Sequence, residues 1–206
     1  MNARKKHKPM NNQSSSPWGL KHPFILASGS KARLRLLQDA GLAPNDVIPA
    51  DIDETPHKKE VPARYVYRIA KEKALAVASA HPGKCILSAD TVIAVGVRMI
   101  RKATTREEAL KNLKLLSGRK HRVITGFCVI KPDGTTITKT VTTFVIIKKL
   151  DKVDMDAILD SNQWQNVAGY QIEGMLSAVV RKTIGSFPNV VGLPVFEVAQ
   201  VLRGVL

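Results

Sequence analysis

The chain has few cysteines and no long apolar run. Its two cysteines, Cys85 and Cys128, lie in apolar, strand-like segments away from any cluster of His or Cys, which favours buried free thiols over metal ligands or a disulfide. No apolar run approaches the ~20 residues of a membrane-spanning helix, and the N-terminus lacks the apolar segment of a secretory signal. These absences exclude a membrane protein and predict a cytoplasmic one.

Acidic residues are also scarce. The chain has 32 Lys and Arg against 17 Asp and Glu, a formal charge of +15, so we expect an anionic partner such as a nucleotide, a nucleic acid or a lipid headgroup. Residues 1–22 contain no acid and little that packs, which predicts a disordered basic tail before a single domain over 23–206. A mitochondrial presequence is disfavoured, because the tail has no amphipathic apolar face.

Strand and helix patterns alternate along the rest of the chain. An apolar run at 24–27 leads through a small-residue turn into a helical pattern that stops at Gly41. Other predicted elements are a helix from Pro62, a strand around Asp90, a helix opened by a capping box of Thr105 and Glu108, a hairpin turning at 132–134, a helix over 152–160 with Asp151 as N-cap, a strand over 176–180 and a helix from Pro194. This order predicts an α/β fold with a mixed sheet.

Two charged residues interrupt apolar patterns. Asp90 lies inside the strand "LSADTVIAV", where burying even a neutral polar group without partners costs roughly 2–7 kcal/mol. Lys73 falls on the apolar stripe of the helix from Pro62. Its side chain either snorkels to an edge or brings its ammonium to an anion in a cleft.

Three further charged residues lie in loops or at a helix start. Glu54 belongs to the acidic loop "DIDET", Lys102 precedes a helix on a short loop, and Arg33 follows a Ser-rich turn at a helix N-terminus, a position that favours an anion. If these groups converge with Asp90 and Lys73, carboxylates bind Mg²⁺ together with substrate phosphates, basic groups neutralise the phosphates, and a base activates water.

A family resemblance covers about residues 24–204. The segments "LASGSKARLRLLQDAGL", "DIDET", "AKEKA", "SADTV", "RKATTREEA", "LSGRKHRVITG", "GYQIEG" and "GSFPNVVGLPVFE" resemble, in order, those of the Maf family of nucleoside triphosphate pyrophosphatases. The resemblance implies a fold like that of inosine triphosphate pyrophosphatases, an elongated mixed β-sheet flanked by helices, with two lobes and a nucleotide cleft. It also implies hydrolysis of nucleoside triphosphates, non-standard or modified ones, to monophosphate and pyrophosphate.

The resemblance also assigns expected roles. Carried over by motif position, the site residues are Asp90 as proton acceptor and metal ligand, Glu54 as metal ligand, and Ser28, Arg33, Lys73, Lys102 and Glu173 as substrate-binding residues. The implied cofactor is Mg²⁺ or Mn²⁺, the implied partners are the nucleotide and a second copy of the chain, and a link to cell division arrest is implied. A nucleic acid partner is not expected.

The base is left open by departures from the family pattern. Ala32 stands where an arginine is common, and Lys31 compensates in part. Glu173 resembles the branch that acts on 7-methyl-GTP, yet that branch usually has Trp at the Ala32 position, and "AGY" resembles the dTTP and UTP branch. Alternatively, Glu173 only pairs with Arg181 or Lys182.

Alternative interpretations remain open for several residues and for the function. His121 and Arg122 form either part of the site or an exposed basic edge, and Trp164 and Tyr170 are expected to pack rather than stack on a base. The rival function is a non-catalytic regulator of cell division that binds nucleotide or nucleic acid, motivated by the charge of +15 and the missing arginine.

Overall fold

A computed structural model describes residues 17–20, 22–100, 102–165 and 170–204, and its strands form one mixed sheet. The strands are β1 (Phe24–Leu26), β2 (Asp46–Val47), β3 (Cys85–Val95), β4 (Arg98–Ile100), β5 (Lys120–Ile130), β6 (Thr136–Ile147) and β7 (Val180–Ile184). Their order is β2-β1-β3-β5-β6-β7, and β4 pairs with β3. Strand β1 is parallel to β2 and β3, whereas the other pairings are antiparallel.

Helices flank this sheet. They are α1 (Lys31–Asp39), α2 (Pro62–Ala80), α3 (Arg106–Leu116), α4 (Lys152–Asp160), α5 (Phe187–Val191) and α6 (Val195–Leu202), with a 3₁₀ helix over Met175–Val179. The predicted α/β class with a mixed sheet flanked by helices is therefore confirmed. Within the described residues, no helix has the length and apolarity needed to cross a membrane.

The core divides along the long strands. Helix α2 packs on the face of the sheet to which even-numbered β3 residues point, such as Ile86 and Val92. Helices α1 and α6 pack on the opposite face with Leu87, while α3 and α4 cover the far end with Ile93. The site residues of β3 therefore lie between helices on both sides. Both cysteines are buried free thiols, as predicted, and burial raises their pKa.

Several helix boundaries follow local sequence signals. Asp151 caps α4 with a complete capping box, and Pro62 is the first residue of α2, both as predicted. The capping box predicted for α3 forms only in part, because the Thr105 hydroxyl accepts from the Glu108 N–H while the Glu108 carboxylate accepts from Thr104. In a complete capping box the Glu108 carboxylate would accept from the Thr105 N–H. Here Thr104, the residue before the cap, donates to it instead.

One predicted strand is wrong. The run over 176–180 forms most of the 3₁₀ helix, and the strand begins only at Val180. Leu176 and Val179 are buried in the core at the far end of the sheet, and a spacing of three suits a 3₁₀ turn, in which such residues share one side. An apolar run this short does not distinguish the two structures by composition alone.

The predicted tail lies mostly outside the described residues, which begin at Pro17. Its last part contacts the domain: the Trp18 indole N–H donates to the Ala40 carbonyl, Arg203 lies over the Trp18 ring, and Leu20 packs against the core beside α1. The tail and domain boundary at residue 22 stays a prediction.

Candidate active site

Lys73 lies at the centre of the candidate site. Its Nζ is 2.8 Å from Glu54 Oε1 and 2.9 Å from Asp90 Oδ1. The lysine is buried on the face of α2 that packs against the sheet, so its ammonium meets carboxylates rather than snorkelling to water. One cation therefore bridges the acidic loop before α2 and the middle of β3.

Asp90 owes its position to the pleat of β3. Side chains alternate between the two faces of a strand, and Asp90 shares the α2 face with Ser88, whose hydroxyl donates to the Ala70 carbonyl of α2. Asp90 is 8% exposed, so its charge needs a close partner. Lys73 supplies that partner.

Arg33 is held by three hydrogen bonds, one from each guanidinium nitrogen. Nε donates to the Gly192 carbonyl at 2.8 Å, Nη1 to Ser28 Oγ at 3.0 Å and Nη2 to Thr91 Oγ1 at 3.2 Å. A guanidinium has five N–H donors, so the Nη atoms retain donors for a ligand. The fixed plane suits bidentate binding of a phosphate.

The surroundings of Arg33 mix burial with negative charge. Burial lowers the pKa of the guanidinium from its ordinary value, whereas the Asp90 and Glu54 carboxylates oppose that shift. The hydrogen bond to Thr91 brings Arg33 to the residue next to Asp90 in β3. Ser30 caps α1 by accepting from the Arg33 N–H. The start of α1 therefore joins the same charged cluster.

The structure does not bring Lys102 into this cluster. Lys102 is exposed between β4 and α3, and within the described residues it makes no ion pair with Glu54 or Asp90. Lys102 lies two residues beyond β4, whose last residue, Ile100, pairs with Ile93 of β3. Its role as a substrate-binding residue stays a prediction.

Glu173 contacts α1 instead of the predicted strand partners. Its carboxylate accepts from Arg35 Nη2, so the alternative pairing with Arg181 or Lys182 is wrong. Residue 173 precedes the 3₁₀ helix at the far end of the sheet, and Arg35 lies two residues after Arg33. The ion pair connects α1 with the segment before the 3₁₀ helix.

Sequence reasoning missed three groups. The Tyr65 hydroxyl donates to the Glu54 carbonyl at 2.9 Å, and burial raises its pKa to about 12, which keeps it a donor. Thr91 Oγ1 and the Gly192 carbonyl together hold Arg33. Tyr65 was detectable because it lies eight residues before Lys73 on one helix face, but nothing local points to Gly192.

His121 is buried and faces away from solvent, so its reading as an exposed edge is wrong. It shares a hydrogen bond with the Tyr170 hydroxyl, and burial lowers the pKa of His121 to about 4. Arg122 donates to the Gly96 carbonyl. Trp164 and Tyr170 are buried in the core, which confirms that they pack.

Glu54 and Asp90 form the acidic part of the site. No group of three or more His, Cys, Asp or Glu side chains in the described part of the chain is arranged to hold a metal ion. Mg²⁺, however, is commonly bound by one or two carboxylates plus water and substrate phosphates. These carboxylates share one ammonium and hence lie close together, so they fit that mode.

The arrangement defines an α/β protein equipped to bind an anionic ligand beside a pair of carboxylates. The chain belongs to the Maf family, because the model described as "Maf-like protein" matches residues 23–205. A dTTP/UTP pyrophosphatase of Caulobacter vibrioides is 46% identical over 88% of this chain and 94% of its own length. One of Paramagnetospirillum magneticum is 48% identical over 88% and 96%.

Solved structures give a weaker likeness. A HAM1 protein from Coxiella burnetii is 16% identical, with a TM-score of 0.48 over 89% of this chain and 99% of that chain. The Staphylococcus aureus Ham1 protein is 19% identical, with a TM-score of 0.44 over 61% and 71%.

Proposed function

We propose that this protein is a nucleoside triphosphate pyrophosphatase with dTTP and UTP as its first candidate substrates. The observation that carries the proposal is the bridge from Glu54 through Lys73 to Asp90 beside a fixed Arg33. Membership of the Maf family and the names of the relatives support the same reaction. The site of action we propose is the cytoplasm.

The residues divide the work as follows. Arg33 and the start of α1 bind the anionic phosphates, and Lys73 turns from its carboxylates toward the nucleotide. Asp90 accepts a proton from the attacking water. The water oxygen bonds to the α-phosphorus, the bond from that phosphorus to the bridging oxygen breaks, and the oxygen leaves with pyrophosphate.

A divalent cation, Mg²⁺ or Mn²⁺, is the cofactor we propose. Glu54 and Asp90 would hold it, and when bound it supplies charge stabilisation for the leaving pyrophosphate. Lys73 pairs with both of these carboxylates, so its ammonium and a cation would share the same oxygens. The resemblance implies that Lys73 binds a phosphate.

Glu173 explains why the base was ambiguous. Glutamate at this position resembles the 7-methyl-GTP branch, whereas "AGY" resembles the dTTP and UTP branch. In the structure the Glu173 carboxylate has Arg35 of the same chain as its partner. Together with relatives named dTTP/UTP pyrophosphatase, this favours a pyrimidine base.

A nucleotide panel tests the proposal. Purified protein is incubated with dTTP, UTP, the other common triphosphates, and methylated and deaminated ones, with Mg²⁺ or Mn²⁺. We expect pyrophosphate and the matching monophosphate, fastest for dTTP and UTP. Release of orthophosphate with a diphosphate would contradict the cleavage position, and absence of turnover would favour the binding-only regulator.

We further propose that the protein is a homodimer, on the family resemblance. Sedimentation velocity at micromolar concentration should give the mass of two chains. A single-chain mass at that concentration contradicts the proposal without bearing on the reaction.

A further inference from the structure

The loop that carries Glu54 is tied to α2 at two consecutive carbonyls. Tyr65 donates its hydroxyl to the Glu54 carbonyl at 2.9 Å, and Arg68 Nη2 donates to the Thr55 carbonyl at 3.2 Å. Both donors lie on α2, where Lys73 follows Tyr65 by eight residues and Arg68 by five. The backbone that directly follows the Glu54 side chain is therefore hydrogen-bonded to the helix that carries Lys73, the ion-pair partner of Glu54.

Arg68 is itself held rigidly. Its Nε and Nη2 donate to the two oxygens of Glu60, each at 2.8 Å, and Nη1 donates to Glu72 at 3.0 Å. Glu60 also accepts from the His57 N–H at 2.9 Å, which closes the far end of the loop. Bidentate pairing of this kind fixes a guanidinium in direction as well as in distance.

Charge and burial both favour a stable ion pair between Arg68 and Glu60. Hydrogen bonds from Arg68 lower the pKa of Glu60 to about 2, so Glu60 stays ionised at neutral pH. The side chains of Arg68 and Glu60 are 18% and 8% exposed, unlike the usual solvated surface pair. Arg68 also lies 5.7 Å from the centre of the Tyr65 ring, which joins the two donors.

We infer that Tyr65 and Arg68 are positioning residues for Glu54. The Glu54 side chain is 45% exposed and belongs to a segment without helix or strand between β2 and α2, so burial alone does not fix its place. A displacement of about 1 Å in a reacting group costs up to about 100-fold in rate. The expected effect on turnover rests on the proposed function. The anchoring of the loop does not depend on that function.

Hydrogen exchange of the loop tests the anchoring directly. Tyr65→Phe removes one hydroxyl, and Arg68→Lys keeps the charge but loses the bidentate geometry. Arg64→Lys, an exposed residue of the same helix, is the matched control. We expect amides over 51–60 to exchange at least about ten times faster in the first two variants, with unchanged exchange in β3 and in the control.

Kinetics and a double-mutant cycle test whether Tyr65 affects turnover through Glu54. Tyr65→Phe should lower kcat about ten-fold with KM within about two-fold, and the same change made in Glu54→Gln protein should have less than about two-fold effect. Equal losses in both backgrounds, or unchanged exchange over 51–60, would overturn the inference. If wild-type protein turns over no nucleotide, the proposed function fails, whereas the exchange result still decides the anchoring.

Discussion

The ion pair between Lys73 and Asp90 has little contact with water. Their side chains are 10% and 11% exposed, so a carboxylate or an ammonium at either position needs a partner of opposite charge. Removing one partner of such a pair costs more than removing both. Within the described residues, Lys73 is the one ion-pair partner of Asp90, whereas Lys73 also pairs with Glu54. Loss of Lys73 should therefore affect the fold more than loss of Asp90.

Replacing Lys73 should therefore destabilise the protein strongly. Lys73→Met keeps a similar side-chain volume but leaves the buried Asp90 carboxylate without its ammonium partner. We expect the free energy of unfolding to fall by about 3–5 kcal/mol. Urea unfolding followed by circular dichroism measures the change. Lys71→Met, at an exposed position of the same helix, should change the free energy of unfolding little; equal losses in both would contradict this account.

Asp90→Asn should affect catalysis more than folding. The amide leaves Lys73 paired with Glu54, so the structure persists, but it accepts no proton from water. We expect kcat for pyrophosphate release to fall about 10²–10⁴-fold, with Asp46→Asn in β2 as an unaffected control. Unchanged turnover in folded Asp90→Asn protein would exclude the proposed base.

His121 should make the free energy of unfolding depend on pH. Its pKa falls from 6.5 to about 4 in the fold, so the unfolded chain takes up the proton first. Its contribution is complete above pH 6.5 and is lost as the pH falls toward 4, by about 3 kcal/mol. The difference in stability between wild type and His121→Gln, measured by urea unfolding at several pH values, should shrink over that window.

The distance from α2 to the sheet is set by a glycine. Gly126 of β5 is the register partner of Asp90, and a Cβ there would lie 2.2 Å from the Val66 carbonyl oxygen of α2. The helix backbone thus rests on β5 beside Asp90, and Lys73 lies two turns further along. Close approach explains why Lys73 reaches the carboxylate.

Gly126→Ala should consequently push α2 away from the sheet. Overpacking costs about 1–3 kcal/mol, sometimes more, and the shift should lower kcat by separating Lys73 from Asp90. Gly29→Ala is the stability control, because a Cβ there meets only Pro49, at an ordinary 3.6 Å. If thermal unfolding shows equal midpoints for the two variants, the close approach does not limit the helix position.

At the scale of the element, local sequence signals predicted the helix starts that interactions between near neighbours determine. The start of α2 at Pro62 and the capped α4 follow from backbone chemistry within a few residues. The run at 176–180 was misread, because its choice between strand and 3₁₀ helix depends on which core it enters. Tertiary packing overrides weak strand propensity in such short segments.

The whole molecule carries its positive charge unevenly along the sequence. Four Lys and Arg, and no acid, lie in residues 1–16, before the described part begins. The candidate site, in contrast, draws its binding groups from α1, α2 and β3. Truncation before Pro17 therefore removes +4 of the net charge of +15 and leaves the residues of the candidate site in place.

A chain that begins at Pro17 tests this separation. It retains Trp18 and Leu20, which contact the domain, so we expect unchanged kcat and KM for the nucleotide. Binding to heparin should weaken and depend less steeply on salt, since log K falls with the number of neutralised charges. Loss of turnover on truncation would show that the first residues serve the site.

The sequence by itself determined most of the helices and strands, the mixed α/β class and the two anomalies, Asp90 in a strand and Lys73 on an apolar stripe. These follow from periodicity and capping, which are properties of neighbours along the chain. Only the tertiary structure decided the partners: Arg33 meets Gly192 across 159 positions, and Glu173 meets Arg35 across 138. Such contacts depend on strand order and register, which no local pattern encodes.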